Sequence, residues 1–262
     1  MLTVMGLSDS QYKVLSDIVY SECGINLHEG KLELLKARVA KRLRITKINS
    51  LEEYINLIKQ DTTEFINFID AVSTNHTFFF RENHHCEFLL KSIDNSRHLK
   101  IWSAASSSGE EPYSIAIQLL EKGAKFEMFA SDISNSMIKA AKTALYYKEK
   151  LRLVPRNMLI KYFQKGRNKW EGYVRVKKEV MNNITFGRHN LIVDSSPGIF
   201  NIIFCRNVMI YFDNETKQKV IGKLYKSLAE GGYLIIGAAE GLVGLKHNFK
   251  YIKPSIYIKG AS

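Results

Sequence analysis

The hydrophobic rhythm of the chain changes once. Over roughly the first 95 residues, apolar positions recur every three or four residues and predict helices alone. Ser8 and Asp9 precede a periodic stretch that stops at Gly24, a residue suited to the left-handed turn that closes a helix. A second helix is predicted over "HEGKLELLKARVAKRLR", where Leu32, Leu35, Val39 and Leu43 form one stripe. Ser50 with Glu53, and Asp61 with Glu64, repeat a start signature in which a side-chain oxygen caps the first-turn amides.

From about Leu99 onward, short apolar runs alternate with helical stretches. Strands are predicted at "LKIWSAA", "FEMFASD", "NITF", "FNIIFCRN" and "YLIIGAA", with helices after the first, second and fourth. Such alternation argues for a mainly parallel sheet covered on both faces. The ending "FKYIKPSIYIKG" predicts a hairpin that turns at Pro254 and Ser255, and Tyr173, Val174 and Val176 suggest a short β excursion before the third strand. The expected division is a helical domain with its linker over 1–95 and an α/β domain over 96–262.

Composition narrows the classes. With 45% hydrophobic residues a chain of 262 can bury a sizeable core. Its best apolar run, "FNIIFCRNVMIYF", is too short for a bilayer and is cut by Arg206 and Asn207, and "MLTVMGLSDS" lacks the pattern of a signal peptide. A cytoplasmic protein is expected, without direct membrane insertion. Cys23, Cys86 and Cys205 are odd in number and far apart, so no disulfide framework and no metal site is expected. The formal charge of +12 calls for an acidic partner, for which nucleic acid, an anionic membrane surface and an acidic protein all qualify.

Candidate chemistry begins at "IWSAASSSGEEPYSIAI", a strand, a small-residue turn and a helix start. Open α/β sheets bind ligands at such a turn, yet neither a G-x-G-x-x-G pattern nor a P-loop is present. Glu110 and Glu111 would repel a phosphate there. The ligand should carry positive charge, and S-adenosylmethionine, with its ammonium and sulfonium groups, fits. The plainer alternative is that both glutamates complement the helix dipole. Asp132, closing the second strand in "FASDIS", stands where a carboxylate accepts hydrogen bonds from ribose hydroxyls, although it could equally cap the next helix.

Together with these stretches, "STNHTFFFRE", "ITFGRHNLI" and "FNIIFCRNVMIYFDNETKQ", in this order and spacing, resemble the chemotaxis receptor methyltransferases, the CheR family of protein-glutamate O-methyltransferases. The resemblance covers essentially the whole chain. It implies a Rossmann-like S-adenosylmethionine-dependent methyltransferase domain, a helical N-terminal domain and a small β-subdomain inserted at about 163–187. Asn75, Thr77 and Arg81 would close over the cofactor, Glu110 would meet its methionine amino end, Asp132 its ribose, and Asn190 with Leu191 its adenine. Arg206 and Asn207 would line the floor. Arg81 would orient the acceptor carboxylate and Tyr211 would stand near the transferable methyl. The family usually reads Gly-His-Ser-Glu after its fifth strand, where this chain has Gly237, Ala238, Ala239 and Glu240.

The resemblance also implies receptor helices as partner. Lys31, Arg38, Lys41 and Arg42 lie on one side of the second helix and are expected to dock there, the alternative being a solvated charged face. In the family the β-subdomain can also grip a short receptor-tail peptide. A monomer is expected, with no nucleic acid. Competing readings are an RNA methyltransferase on the same fold and a non-catalytic cofactor-sensing adaptor. Against the first, "CRNVMIYF" stands where an amino-methylating enzyme would carry Asn/Asp-Pro-Pro-aromatic. Against the second, Arg81, Asp132, Asn207 and Tyr211 are all present. His84 and His85 are assigned no chemistry.

Overall fold

The computed structural model describes residues 8–27, 32–73, 75–94 and 96–260. Four helices come first: α1 (Asp9–Cys23), α2 (Leu32–Thr46), α3 (Leu51–Gln60) and α4 (Thr62–Val72). Ser8 and Gln11 form a reciprocal capping box at the start of α1, which ends at Gly24 with φ 66°. A Cβ on Gly24 would fall 2.6 Å from Thr216 Cγ2 and 2.9 Å from Ile192 Cδ1. The same glycine therefore ends the helix and lets its tip seat against the α/β domain. Leu35 and Val39 of the expected stripe are buried with Leu15, Val19, Tyr54 and Phe68 in one cluster, against which Leu43 packs.

Asp61 caps α4 by accepting from the amides of Thr63 and Glu64. The Glu64 side chain does not return the bond. It is buried and receives Arg42 Nε at 2.9 Å and the Tyr54 hydroxyl at 2.8 Å. Arg42 is thus withdrawn from the basic ridge expected on α2, because a buried carboxylate between α3 and α4 requires a charged partner. Lys31 lies outside the described residues. Arg38 is half-buried and Lys41 exposed.

The sheet that follows has the order β6-β2-β1-β7-β8-β10-β9. Its parallel strands are β1 (His98–Ala104), β2 (Lys125–Asp132), β6 (Ile184–Arg188), β7 (Phe200–Cys205) and β8 (Leu228–Ile236). The antiparallel hairpin of β9 (Phe249–Lys253) and β10 (Ile256–Lys259) completes it. Alternation divides each strand between two cores. Ile101, Ile202, Phe204 and Ile235 point to one face, and Trp102, Ile203, Leu234 and Ile236 to the other. Helices α6 (Glu110–Glu121), α7 (Asn135–Thr143) and α10 (Asn214–Lys226) follow the first, second and fourth parallel strands in chain order.

Two boundaries differ from expectation. Helix α5 (His84–Ser92) belongs to the sheet core, since Cys86 and Leu89 pack with Phe79, Phe80 and Ile117, so the α/β unit begins well before residue 96. The small three-stranded sheet is β3 (Leu145–Tyr147), β5 (Tyr173–Val176) and β4 (Phe163–Lys165), accompanied by the short helices α8 (Arg156–Tyr162) and α9 (Lys178–Met181). It starts earlier than 163 and ends earlier than 187, because Ile184–Arg188 pairs with β2 in the large sheet. No described helix is long and apolar enough to cross a membrane.

Candidate functional site

The strand order turns at β1, which has β2 on one side and β7 on the other, and a ligand crevice is expected at the carboxyl ends there. A cleft opens at that place. Its floor is the turn Ala105–Ser107, Asp132 and Arg206–Val208, and its roof is the segment 75–83 with Cys23 and Ile25 from the tip of α1. The helical domain is held over it by polar ties. Asp70 accepts the amides of Asn135 and Ser136, the amide of Asn26 donates to the Tyr211 carbonyl at 3.0 Å, and the Tyr20 hydroxyl donates to Asp213 at 2.7 Å.

The backbone at the cleft is unusual. Ala105, Ser107, Phe80, Glu82 and Asn207 all have positive φ, from 50° to 62°. Non-glycine residues in that region carry strain that surrounding contacts must hold, and such strain gathers at functional sites. Here the contacts are explicit. The Ser106 amide donates to the Ser131 carbonyl, the Ser107 amide to Asp132 Oδ2 at 2.8 Å, and the Phe80 amide to Ser114 Oγ at 2.9 Å.

Asp132 is not the cap of α7. That role falls to Ser134, whose side chain accepts from the Met137 amide. Asp132 instead accepts the amides of Ser107 and Ser134, one on each oxygen, which leaves lone pairs on both oxygens for a ligand diol. Burial raises its pKa, and the two amides offset only part of that rise.

The adjacent glutamates separate. Glu111 lines the cleft, while Glu110 is fully buried away from it, bound by Lys150 Nζ at 2.9 Å and Ser108 Oγ at 2.6 Å. Consecutive helical residues diverge by about 100°, so only one of the pair can face the ligand. The cleft-facing residue is not the one carried over from the family resemblance. Glu111, Ser114 and Gln118 line the cleft at helical spacing, and this polar stripe was the sequence signal that could have found it.

Arg206 occupies a hub. Its Nη1 meets Glu111 Oε2 at 3.1 Å, and its Nη2 meets the Arg81 carbonyl at 2.7 Å and Glu82 Oε2 at 3.1 Å. Glu82 also receives Asn207 Nδ2 and the Ala238 amide. Burial pushes the Glu82 carboxyl up, but the Arg206 charge and these donors together outweigh it and hold it below the usual range. Glu111, more deeply buried, is left raised despite Arg206. Glu240 accepts the amides of Asn207, Met209, Ile210 and Gly237, and so shapes the loop carrying Tyr211. The alanines at 238 and 239 leave this intact, since the organising contacts here are backbone amides and the retained glutamate.

Asn75, Thr77, Arg81, Asn190, Leu191, Asn207 and Tyr211 all line the cleft. Arg81 Nη1 donates to the His76 carbonyl at 3.1 Å, its guanidinium lies 5.8 Å from the Phe78 ring, and Nε approaches Glu82 at 3.7 Å. The Asn190 carboxamide is spent on structure, donating to the Glu22 carbonyl at 2.8 Å and accepting from the Ile192 amide at 2.9 Å. Sequence reasoning missed Glu82 and Lys150, and it singled out Glu111 and Glu240 without giving either a place in the site. Three of these are acids whose partners lie roughly 30 to 125 residues away, and Lys150 reaches Glu110 across 40.

The donor set fits an adenosyl sulfonium ligand. A diol can reach Asp132, a cationic head can reach Glu111, and the buried Ser106 Oγ and Arg206 Nε have no hydrogen-bond partner among the described residues. His85, buried beside Glu82 with its pKa lowered to about 4 by burial and then by Arg206, stays neutral and is not part of the cleft lining.

Comparison with known proteins supplies the family. The CheR methyltransferase all-alpha domain matches residues 10–73, and the CheR methyltransferase SAM binding domain matches 75–258. The chemotaxis protein methyltransferase of Escherichia coli is 35% identical, covering 97% of this chain and 92% of its own length. That of Borreliella burgdorferi is 34% identical, covering 97% and 96%. Among solved structures, a glycopeptide N-methyltransferase complexed with S-adenosylhomocysteine aligns with 63% of the chain and 56% of its own, at 14% identity and a TM-score of 0.38. With both domain models matching in order along nearly its full length, the chain belongs to the CheR family of chemotaxis methyltransferases, whose methyl donor is S-adenosylmethionine.

Proposed function

We propose that the chain methylates glutamate side chains on the cytoplasmic helices of chemotaxis receptors, giving glutamyl methyl esters. The observation that carries this reading is the acceptor side of the cleft, where Arg81 and Tyr211 stand and, among the described residues, the carboxylates Glu82 and Glu111 are engaged by Arg206 and so are not free to act as a base. A glutamate acceptor is already ionised at neutral pH, with a side-chain pKa of about 4.3, and needs none. Bound S-adenosylmethionine supplies an electrophilic methyl group on a sulfonium leaving group.

The protein's share is then alignment and exclusion of water. Asp132 accepts the ribose hydroxyls, Glu111 faces the ammonium end, and Asn75 and Thr77 cover the cofactor from the linker. Arg206 fixes the Arg81 carbonyl, and through it the linker from which the Arg81 guanidinium meets the acceptor. Arg81 is also attracted to Glu82 and Phe78. It thus orients the carboxylate without a rigid two-point grip, which would stabilise ground state and transition state alike. Tyr211 forms the hydrogen-bonding wall beside the methyl. An amine or RNA acceptor would need deprotonation; the cleft carboxylates Glu82 and Glu111 are engaged by Arg206, and the imidazoles in its lining are His76, on the linker, and His189, whose pKa is lowered by burial.

The test uses labelled methyl donor and receptor cytoplasmic fragments. The label should enter the receptor and leave as volatile methanol in mild alkali. Alkali-stable label, or label in RNA, would reject the carboxyl acceptor.

A further inference from the structure

Residues 145–178 hold eleven Lys and Arg against two Glu, so most of the formal net charge of +12 sits on the small sheet and its flanking helices. Little of it is neutralised. Lys150 pairs with Glu110 and Lys161 with Glu121, and Lys177 donates to the carbonyls of Ile160 and Lys161. Lys148, Lys165, Arg167, Lys169 and Arg175 are exposed and form no ion pair among the described residues. Neither the cleft nor the α2 ridge uses any of these five.

The strand register defines the face that carries Arg175, with Lys148, Arg167 and Lys169 beside it, while Lys165, opposite Val174, lies on the other side. Tyr147 lies opposite Tyr173, and Leu145 and Gln164 lie opposite Arg175. Alternation puts Tyr173 and Arg175 on one side of β5 and Val176 on the other, where it is buried with Tyr146 and Phe163. The Tyr173 side therefore points outward. The Tyr147 and Tyr173 rings lie 4.2 Å apart with their hydroxyls hydrogen-bonded, and Trp170 meets Tyr173 edge-on at 5.8 Å. Lys169 Nζ is 5.7 Å from the Trp170 ring centre. Tyr147 is 58% exposed and Trp170 44%.

We propose that this face adsorbs to an anionic lipid bilayer surface. Amphipathic Trp and Tyr rings suit the headgroup depth, and several unpaired Lys and Arg around them match a plane of negative charge within a Debye length. A stacking platform for nucleic-acid bases needs free ring faces, whereas Tyr147 and Tyr173 are stacked on each other. A short acidic peptide would neutralise only part of a charge set spread over β5 and the turns beside it. The proposal goes beyond the methyl-transfer reading and does not depend on the identity of the acceptor.

The chain carries its own reporter, because Trp102 is 1% exposed in the core and Trp170 is the second of its two tryptophans. The full-length protein would be mixed with phosphatidylcholine vesicles, with and without phosphatidylglycerol, and followed by sedimentation and tryptophan emission. Binding and a blue shift are expected only with the anionic vesicles, weakening as salt rises. Lys169→Glu with Arg175→Glu should reduce partitioning by about tenfold or more, with cofactor affinity unchanged as the check on folding. Trp170→Phe should remove the emission shift while vesicle binding persists. The proposal is overturned by no binding to anionic vesicles at low salt or by equal binding of the charge-reversed variant. It is also overturned if an acidic peptide or single-stranded DNA shifts Trp170 while vesicles do not.

Discussion

Asp132 shows how one side chain links burial, pH and binding. Its pKa is raised because burial disfavours the charged form, and the amides of Ser107 and Ser134 recover part of that cost. In the proposed site ribose hydroxyls would donate to the ionised carboxylate, so binding would be complete above the raised pKa and lost as pH falls through it. Cofactor affinity measured by calorimetry should therefore begin to decline above the ordinary carboxylate range. Asp132→Ala should cost about 1.5–3 kcal/mol of affinity at neutral pH and flatten this pH dependence. The two glutamates of α6 offer a second contrast at the same scale. Glu111→Gln should weaken cofactor binding by about tenfold, since a charge facing a cation is removed. Glu110→Gln should lower thermal stability with a smaller effect on affinity, because Glu110 serves Lys150 and Ser108 and not the cleft.

Elements with strong periodicity were legible before the fold was known. The caps at Ser8 and Gly24, the five parallel strands and the closing hairpin rest on local chemistry that a sequence displays directly. Boundaries were less legible where an element's partner is distant. Helix α5 reads as one more amphipathic helix, and only the packing of Cys86 and Leu89 against Phe79, Phe80 and Ile117 assigns it to the sheet. The Asp61 and Glu64 pair matched a capping box, yet the carboxylate of Glu64 was claimed by Arg42 and Tyr54 from other helices. Helical periodicity placed Arg42 on an exposed ridge because it cannot register a buried acid on a neighbouring helix. Arg42→Ala should consequently destabilise the helical unit by about 3 kcal/mol in denaturant unfolding, since it strands a buried carboxylate. Loss of receptor methylation at unchanged stability would instead return Arg42 to the docking surface.

In the whole molecule, the site exists only because two units meet. Asp132 and Arg206 come from the sheet, Cys23 and Ile25 from the tip of α1, and Arg81 from the segment that joins them. The ridge that remains on α2, Arg38 and Lys41, lies in the helical unit and serves recognition in this account. Reversing both charges should slow receptor methylation and flatten its salt dependence while cofactor affinity stays unchanged. The central claim is that this interdomain cleft esterifies receptor glutamates, and the most direct measurement is peptide mapping of a receptor cytoplasmic fragment after incubation with the enzyme and S-adenosylmethionine. The expected result is the added mass of one methylene on glutamate side chains, with Arg81→Ala reducing the rate by about 10²-fold through lost acceptor alignment. Methylation confined to lysine, arginine or other non-carboxylate side chains, or an undiminished rate in Arg81→Ala, would contradict it.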